Sequence, residues 1–276
     1  MDLNLNFLKQ IALNVYDKVH PLLGSKKAAK TSQRGAGGDI SMHIDLIAEK
    51  VVIETLQNAK ADLLLISEEI GEKYIGNKET AIKNQNVIII DPVDGSNNAV
   101  RGIPYCCVSI AYAIGKNVSD IRCSVVLDLT TKDLFWAVKG KGAFCNGKRI
   151  HVSKLDISQK CLFELNLSMR KFDEQIKTLD SIIKKFYRIR VLGSTALTLC
   201  HIAQGSLDAF INLRESNRLV DTAAGLLIIK EAGGKIFSLD GIDIEQELSI
   251  DLKFPFIACN PKLESFLKKE LTLRDY

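Results

Sequence analysis

The spacing of apolar residues along the chain predicts a mixture of helices and strands. Between positions 3 and 19 the apolar residues recur at near-helical intervals, which predicts an opening amphipathic helix that ends before Pro21. The same periodicity predicts later helices at about 44–58, 173–186, 195–204 and 221–232, and a terminal helix after Pro261.

Short apolar runs between these helices predict strands. They lie at 63–66, 87–90, 108–114, 124–127, 134–138, 161–167, 188–192, 209–213 and 256–259. Because helices alternate irregularly with strand hairpins, the order indicates a layered α+β fold rather than a regular βαβ series. The pattern divides the chain into two packed halves, residues 1–151 and 152–276.

Residues 24–39 differ from the rest of the N-terminal half. They combine lysine with glycine and contain few apolar residues, which is typical of a mobile surface loop. From composition alone, the simplest interpretation of this loop is a plain linker.

Composition and charge exclude several classes of protein. The chain has 276 residues and a formal net charge of +4, with its basic residues dispersed, so a nucleic-acid partner is not expected. Its apolar runs are too short to span a bilayer, and its first residues do not resemble a signal peptide. The seven cysteines form no C-x-x-C pair, which indicates reduced thiols in a cytoplasmic protein.

Acidic residues follow two of the predicted strands and begin one predicted helix. Glu68 and Glu69 follow strand 63–66, Asp91 and Asp94 follow strand 87–90, and Asp221 begins a helix. Magnesium prefers oxygen ligands such as carboxylates and carbonyls, so converging side chains here would form a metal site. Each motif alone also has an ordinary interpretation, as a solvated face, a turn or a helix N-cap.

Two Gly-Ser pairs precede predicted helices and offer a different chemistry. If a helix begins after Gly95-Ser96, its free backbone N–H groups can hold a phosphate beside the acidic residues. Gly193-Ser194 offers a similar but weaker signal before the helix at 195–204.

Several of these segments together resemble the inositol monophosphatase family. The resemblance rests on Glu68-Glu69, on the run Asp91-Pro92-Val93-Asp94-Gly95-Ser96, on 140–147 and on the segment from Asp221 to Gly234. Order and spacing match, and the likeness covers nearly the whole chain. It implies a layered αβαβα sandwich, a homodimer and a magnesium-dependent phosphoric monoester hydrolase.

The resemblance also implies roles for individual residues. Two or three Mg²⁺ ions per active site are expected, with ligands from Glu69, Asp91, Asp94, Asp221 and the carbonyl of Val93. Gly95 and Ser96 are expected to hold the phosphate. The loop that ends at Asp39, together with Asp45, looks like the mobile catalytic loop of the family, so both aspartates are predicted as catalytic.

Within the family, Ser96 and the run Gly102-Ile103-Pro104-Tyr105 resemble the archaeal type that hydrolyses fructose 1,6-bisphosphate and inositol phosphates. Asn97, Ala99 and Val220 depart from the usual pattern. None of the three supplies a metal ligand, so the departures bear on the choice of substrate.

The expected reaction is in-line hydrolysis of a small sugar or polyol phosphate by metal-activated water, oriented by Glu69 and Ser96. Basic side chains of the second half are candidates for holding a second phosphate, and Gly193, Ser194 and Asp94 for other substrate contacts. These basic candidates are Arg170, Lys171, Arg188, Arg190, Arg214 and Arg218. Two alternatives stay open, a 3′-phosphoadenosine 5′-phosphate phosphatase and an inactive relative that acts as a binding protein.

Overall fold

The computed structural model describes residues 3–34 and 40–272. Asp39, predicted as catalytic, lies outside the described residues. Eight helices are described: α1 (Leu5–Val19), α2 (His43–Asn58), α3 (Lys78–Asn84), α4 (Ser96–Arg101), α5 (Phe172–Ile183), α6 (Thr195–Ala203), α7 (Leu219–Glu231) and α8 (Pro261–Thr272).

A two-stranded hairpin precedes α2. It pairs β1 (Thr31–Arg34) with β2 (Ile40–Met42) in antiparallel fashion. The prediction of a plain loop over 24–39 is therefore wrong for residues 31–34. The run Thr31-Ser32-Gln33-Arg34 contains no apolar residue, so the apolar pattern by which strands are predicted is absent there.

Eight strands of the described residues form the first sheet. In chain order they are β3 (Leu63–Ser67), β4 (Gly71–Ile75), β5 (Asn86–Asp94), β6 (Cys107–Ile114), β7 (Ile121–Asp128), β8 (Leu134–Val138), β9 (Gly142–Cys145) and β10 (Lys148–Arg149). Their order across the sheet is β10-β9-β8-β7-β6-β5-β3-β4. Only the β3–β5 pair is parallel among these neighbours, so the carboxyl ends of β3 and β5 meet at one edge of the sheet.

In the second sheet, five strands lie within the described part of the chain. They are β11 (Leu162–Asn166), β12 (Arg188–Arg190), β13 (Ala209–Asn212), β14 (Lys235–Phe237) and β15 (Phe256–Cys259), in the order β12-β11-β13-β15-β14. The short strand β12 forms one edge of this sheet.

Three buried clusters show how the layers stack. One joins α1 and α2 to the first sheet, through residues such as Leu8, Val52 and Ile90. The second places α6 and α7 between the two sheets, and the third packs α5 and α8 against the outer face of the second sheet. The result is a layered αβαβα sandwich, as predicted. Because α6 and α7 belong to a core shared by both sheets, the boundary near residue 151 stays a prediction.

The strand β5 is longer than predicted. The apolar run suggested an end at Ile90, followed by a turn, but pairing with β6 continues through Asp91 opposite Ser109 and Asp94 opposite Cys107. The register shifts between Asp91 and Asp94, which is the mark of a bulge. Proline is tolerated there because a bulge interrupts the ladder of hydrogen bonds.

No helix in the two described stretches combines the length and the apolar character that crossing a bilayer requires.

Candidate active site

A cavity of about 860 Å³ opens where the two sheets and helix α7 meet. Most of the residues that the sequence assigned to a site line this cavity. They are Asp45, Glu69, Asp91, Val93, Asp94, Gly95, Ser96, Gly193, Arg214 and Asp221. The structure therefore brings together side chains that lie up to 176 residues apart in the sequence.

Three carboxylates converge inside the cavity. Glu68, Asp91 and Asp221 each offer an oxygen, and these oxygens lie within 4.8 Å of one another. Ser67 pairs with Ile90 across the parallel strands β3 and β5, so the next residues along these strands, Glu68 and Asp91, lie side by side. Asp221 reaches them from the first turn of α7. An all-oxygen set of this size fits a hard divalent cation such as Mg²⁺.

Glu68, rather than Glu69, belongs to this cluster. Glu69 also lines the cavity, so it lies at the site. Its role as a metal ligand stays a prediction. The sequence shows both glutamates at a strand end but not which of them continues the direction of β3. The pairing of Ser67 with Ile90 supplies that information, because it places Glu68 beside Asp91.

Asp94 is held from the second half of the chain. Its Oδ2 accepts hydrogen bonds from the Ser194 hydroxyl (2.8 Å) and from the backbone N–H of Ala196 (2.6 Å). Ser194 is the N-cap of α6, and it does not itself line the cavity. The predicted substrate-binding residue Ser194 thus fixes the carboxylate of Asp94.

The bulge in β5 positions the predicted ligand Val93. The backbone N–H of Val93 donates a 2.9 Å hydrogen bond to Asp91 Oδ1, which closes a tight turn between them. Asp91 and Val93 have relative exposures of only 2% each, so this part of the site is rigidly packed.

Burial strongly perturbs the acidic residues. Burial, opposed by Arg218 and increased by Asp221, raises the pKa of Glu68 to about 8. Burial and the neighbouring Glu68 raise the pKa of Asp91 well above its usual value. Burial and Asp221 raise the pKa of Asp94 to about 7. Crowded carboxyls of this kind favour a bound cation, because positive charge restores their ionised form.

Asp45 occupies the first turn of α2. Its Oδ2 accepts a 2.8 Å hydrogen bond from the backbone N–H of Met42, which caps the helix. Burial, partly offset by this hydrogen bond, raises the pKa of Asp45 to about 7. The residue lines the cavity beside Glu68 and Glu69, as its prediction as a catalytic residue requires.

Two glycine turns form another part of the lining. Gly95 and Gly193 both adopt a φ of +87°, and a Cβ on Gly95 would lie only 2.9 Å from the carbonyl oxygen of Tyr105. Asn98 ties the turns together, because its Nδ2 donates to the carbonyl oxygens of Tyr105 and Leu192, both at 2.8 Å. Helix α4 begins at Ser96, so its first N–H groups belong to this region.

The predicted arginines fall into two groups. Arg214 and Arg218 line the cavity. Arg170, Arg188 and Arg190 are exposed and are not part of its lining. Arg188 and Arg190 each donate to a backbone carbonyl oxygen of the preceding residue at 2.9 Å, on the edge strand β12. Lys171 forms a 2.7 Å ion pair with Glu215.

Several lining residues were not assigned from the sequence. These are Met42, Asn97, Asn166, Thr195, Ser216, Asn217 and Lys253. Asn217 carries the clearest structural role, because its Nδ2 donates to Thr222 Oγ1 at 3.0 Å and so fastens the loop before α7. No motif points to Lys253, which lines the cavity and forms an isolated bridge with Arg218.

Comparison with known proteins gives one family model, described as the inositol monophosphatase family, which matches residues 4–269. A fructose-1,6-bisphosphatase/inositol-1-monophosphatase of Methanothermobacter thermautotrophicus is 35% identical over 90% of this chain and 89% of its own length.

Two further matches extend this result. A bifunctional NADP phosphatase/NAD kinase of Methanococcus maripaludis is 37% identical over 93% of the chain, which spans about half (47%) of that relative. Among solved structures, a hypothetical protein of Pyrococcus horikoshii with similarities for inositol-1 monophosphatase aligns with a TM-score of 0.80 and 28% identity. That alignment covers 97% of this chain and 99% of the other.

Proposed function

Because the chain belongs to the inositol monophosphatase family, we propose that it is a Mg²⁺-dependent phosphatase of small sugar or polyol phosphates. The resemblance seen in the motifs is confirmed, and so is the class of phosphoric monoester hydrolase. The observation that carries the proposal is the convergence of Glu68, Asp91 and Asp221 within 4.8 Å, beside the turn at Gly95. Fructose 1,6-bisphosphate and inositol 1-phosphate are the first substrates to consider.

The carboxylate cluster and its neighbours are the proposed cation ligands. Glu68, Asp91 and Asp221 supply carboxylates, the Val93 carbonyl supplies a further oxygen, and Asp94 lies beside them. When bound, two or three Mg²⁺ ions activate water and neutralise charge on the phosphate. We assign the ligand role at the end of β3 to Glu68, and we give Glu69, at the cavity wall, the role of orienting the attacking water.

The remaining residues position the ester. We propose that backbone N–H groups at Gly95 and Ser96 hold the phosphate, since they begin α4 and lie next to the carboxylates. We assign the Ser96 hydroxyl and Asp45, which both line the cavity, to orienting water. We assign Gly193 to contact with the alcohol part of the substrate, since its turn is tied to the Gly95 region through Asn98.

The basic part of the lining supports a substrate with a second phosphate. Arg214 and Lys253 are both exposed and both line the cavity. A guanidinium binds phosphate through two parallel N–H donors, which makes Arg214 the better candidate of the two. This favours fructose 1,6-bisphosphate over inositol 1-phosphate.

A second candidate substrate is NADP. The 37% identity to a bifunctional NADP phosphatase/NAD kinase favours it. However, the lining found within the described part of the chain contains no aromatic side chain on which adenine could stack. The same observation disfavours 3′-phosphoadenosine 5′-phosphate.

We also propose a cytoplasmic homodimer. All seven cysteines are free thiols, which suits a reducing compartment. Ile189 on the edge strand β12 and the nearby Val191 and Met169 expose apolar surface, with relative exposures of 38%, 76% and 81%. Light scattering coupled to gel filtration would measure the mass, and a mass near 31 kDa would contradict the dimer.

A panel of phosphate esters tests the proposed activity. Phosphate release is measured for fructose 1,6-bisphosphate, inositol 1-phosphate, NADP and 3′-phosphoadenosine 5′-phosphate, with Mg²⁺ and with a chelator. The expected result is turnover of the first two substrates only when Mg²⁺ is present. Asp91→Asn serves as the matched control, because it removes one carboxylate charge at nearly constant volume. A protein that binds these esters but turns over none of them is a binding protein instead.

A further inference from the structure

Arg218 is the one guanidinium that contacts the carboxylate cluster in the described part of the chain. Its Nη1 lies 2.5 Å from Glu68 Oε1, and its Nη2 lies 3.3 Å from Asp221 Oδ1. Its Nε donates to Asp221 Oδ2, also at 3.3 Å. Three nitrogen atoms of one side chain thus engage two of the three clustered carboxylates.

The backbone around Arg218 is held firmly in place. Residue 218 forms a bridge with Lys253, and the next residue, Leu219, donates its N–H to the carbonyl oxygen of Leu252 at 2.9 Å. The carbonyl oxygen of Arg218 accepts a 3.1 Å hydrogen bond from Thr222 Oγ1. The side chain is only 12% exposed, so the guanidinium is built into the site rather than resting on it.

We propose that Arg218 is an internal counter-cation that shares Glu68 and Asp221 with a bound divalent cation, weakens its binding and so sets the cation concentration that the site requires. The inference rests on the proposed function for the presence of a cation at this cluster. It concerns how tightly the site binds a divalent cation, which the carboxylates alone do not set.

Sharing is possible because each carboxylate oxygen has room for more than one partner. An ionised carboxyl group has about four lone-pair positions. Of the three contacts of Arg218, the one from Nε to Asp221 Oδ2 is a hydrogen bond, and those of Nη1 and Nη2 are ion pairs without hydrogen-bond geometry, so most lone-pair positions stay open to a cation. The guanidinium therefore does not need to leave when a cation binds. It keeps its charge at every physiological pH, because burial is outweighed by Asp221 and Glu68, which raise the pKa of Arg218.

The expected size of the effect follows from Coulomb's law. A single and a double positive charge about 5 Å apart repel each other enough to weaken binding by about tenfold even at the dielectric constant of water. The partly buried site has a lower effective dielectric constant, so tenfold is a lower bound. The opposite change in cation affinity is expected if Arg218 mainly orients Glu68 and Asp221. Loss of Arg218 would then loosen these ligands and weaken cation binding.

Calorimetric titration of Mg²⁺ into the substrate-free protein separates these two roles. Arg218→Met removes the charge and keeps most of the apolar volume, and it is expected to bind Mg²⁺ at least about tenfold more tightly than the wild type. Arg218→Lys keeps the charge and is expected to stay within about threefold of the wild type.

Lys253→Met is the matched control. Lys253 lines the same cavity but forms no ion pair with the described residues, so its removal is expected to change Mg²⁺ affinity by less than about threefold. If the wild type binds Mg²⁺ and Arg218→Met binds it with equal or weaker affinity, the inference is wrong. The proposed function then still stands. If neither the wild type nor any of the variants binds Mg²⁺, the proposed cation site itself is wrong.

A measurement on the wild type keeps the test valid if Arg218→Met does not fold. The Nε–H signal of Arg218 in a nitrogen-15 spectrum, assigned by its loss in Arg218→Lys, reports the hydrogen bond to Asp221. This signal is expected to shift during the Mg²⁺ titration with the midpoint found by calorimetry. An unchanged signal at saturating Mg²⁺ overturns the inference.

Discussion

The acidic and basic parts of the cavity are built in different ways. Asp91 and Asp94 are 2% and 7% exposed at the bulged end of a central strand, and Asp94 is fixed further by Ser194. Arg214 and Lys253 are exposed residues of loops that belong to the second half of the chain. A rigid acidic part suits chemistry common to many phosphate esters, whereas an exposed basic part can vary with the substrate.

Replacing the two tandem glutamates separately tests the acidic part and carries the largest expected effect. Glu68→Gln is expected to lower kcat by at least about a hundredfold and to weaken Mg²⁺ binding, since a ligand to a cation contributes several kcal/mol. Glu69→Gln is expected to lower kcat while leaving Mg²⁺ affinity within about threefold. Calorimetry and steady-state kinetics on both variants measure this difference.

Each glutamate variant is the control for the other, because both make the same chemical change at adjacent positions. Loss of Mg²⁺ affinity in Glu69→Gln, with normal affinity in Glu68→Gln, would return the ligand role to Glu69. In that case the orientation of the chain after β3 would differ from the one described.

The acidic part shows what the sequence can and cannot reveal. Asp91 and Asp94 could be predicted, because they follow an apolar run that had to be a buried strand. The choice between Glu68 and Glu69 could not, because it depends on the register of β3 against β5. A shift of one residue reverses which side chain points to the site.

The basic part was harder to predict for a topological reason. Local apolar periodicity does not separate Arg188, Arg214 and Arg218, although the family resemblance singles out the region of Arg214. Arg188 lies on an edge strand and turns to its own backbone, whereas Arg218 is bridged to Lys253, 35 positions later in the chain. Such a long-range bridge leaves no signal in local periodicity.

The pH dependence of cation binding is a second test of the acidic part. The pKa of Glu68 is raised from 4.5 to about 8, so the folded protein binds a proton there that the unfolded chain has lost. Without a cation, stability therefore falls as the pH rises from about 4.5 to about 8. Because a cation must displace this proton, Mg²⁺ affinity is expected to rise at least about tenfold between pH 6 and pH 8.5.

Calorimetry in buffers of different ionisation enthalpy measures the protons released when Mg²⁺ binds. Release is expected at pH 6 and is expected to become small at pH 8.5. In Glu68→Gln part of the release is lost, and Asp94, with a pKa of about 7, accounts for part of what remains. Equal Mg²⁺ affinity at the two pH values would mean that the carboxylates of the cavity are already ionised at pH 6.

The basic part is tested by a pair of matched arginine variants with a smaller expected effect. Arg214→Met is expected to raise KM for fructose 1,6-bisphosphate about tenfold, because an exposed charge-assisted hydrogen bond to the second phosphate is lost. The same variant is expected to change kcat and KM for inositol 1-phosphate by less than about twofold, because that substrate has no second phosphate. Arg188→Met removes an equal charge outside the cavity and is expected to leave both substrates unaffected. If Arg214→Met raises KM for both substrates equally, Arg214 supports the shape of the cavity. The basic part of the cavity then has no role in selecting bisphosphates.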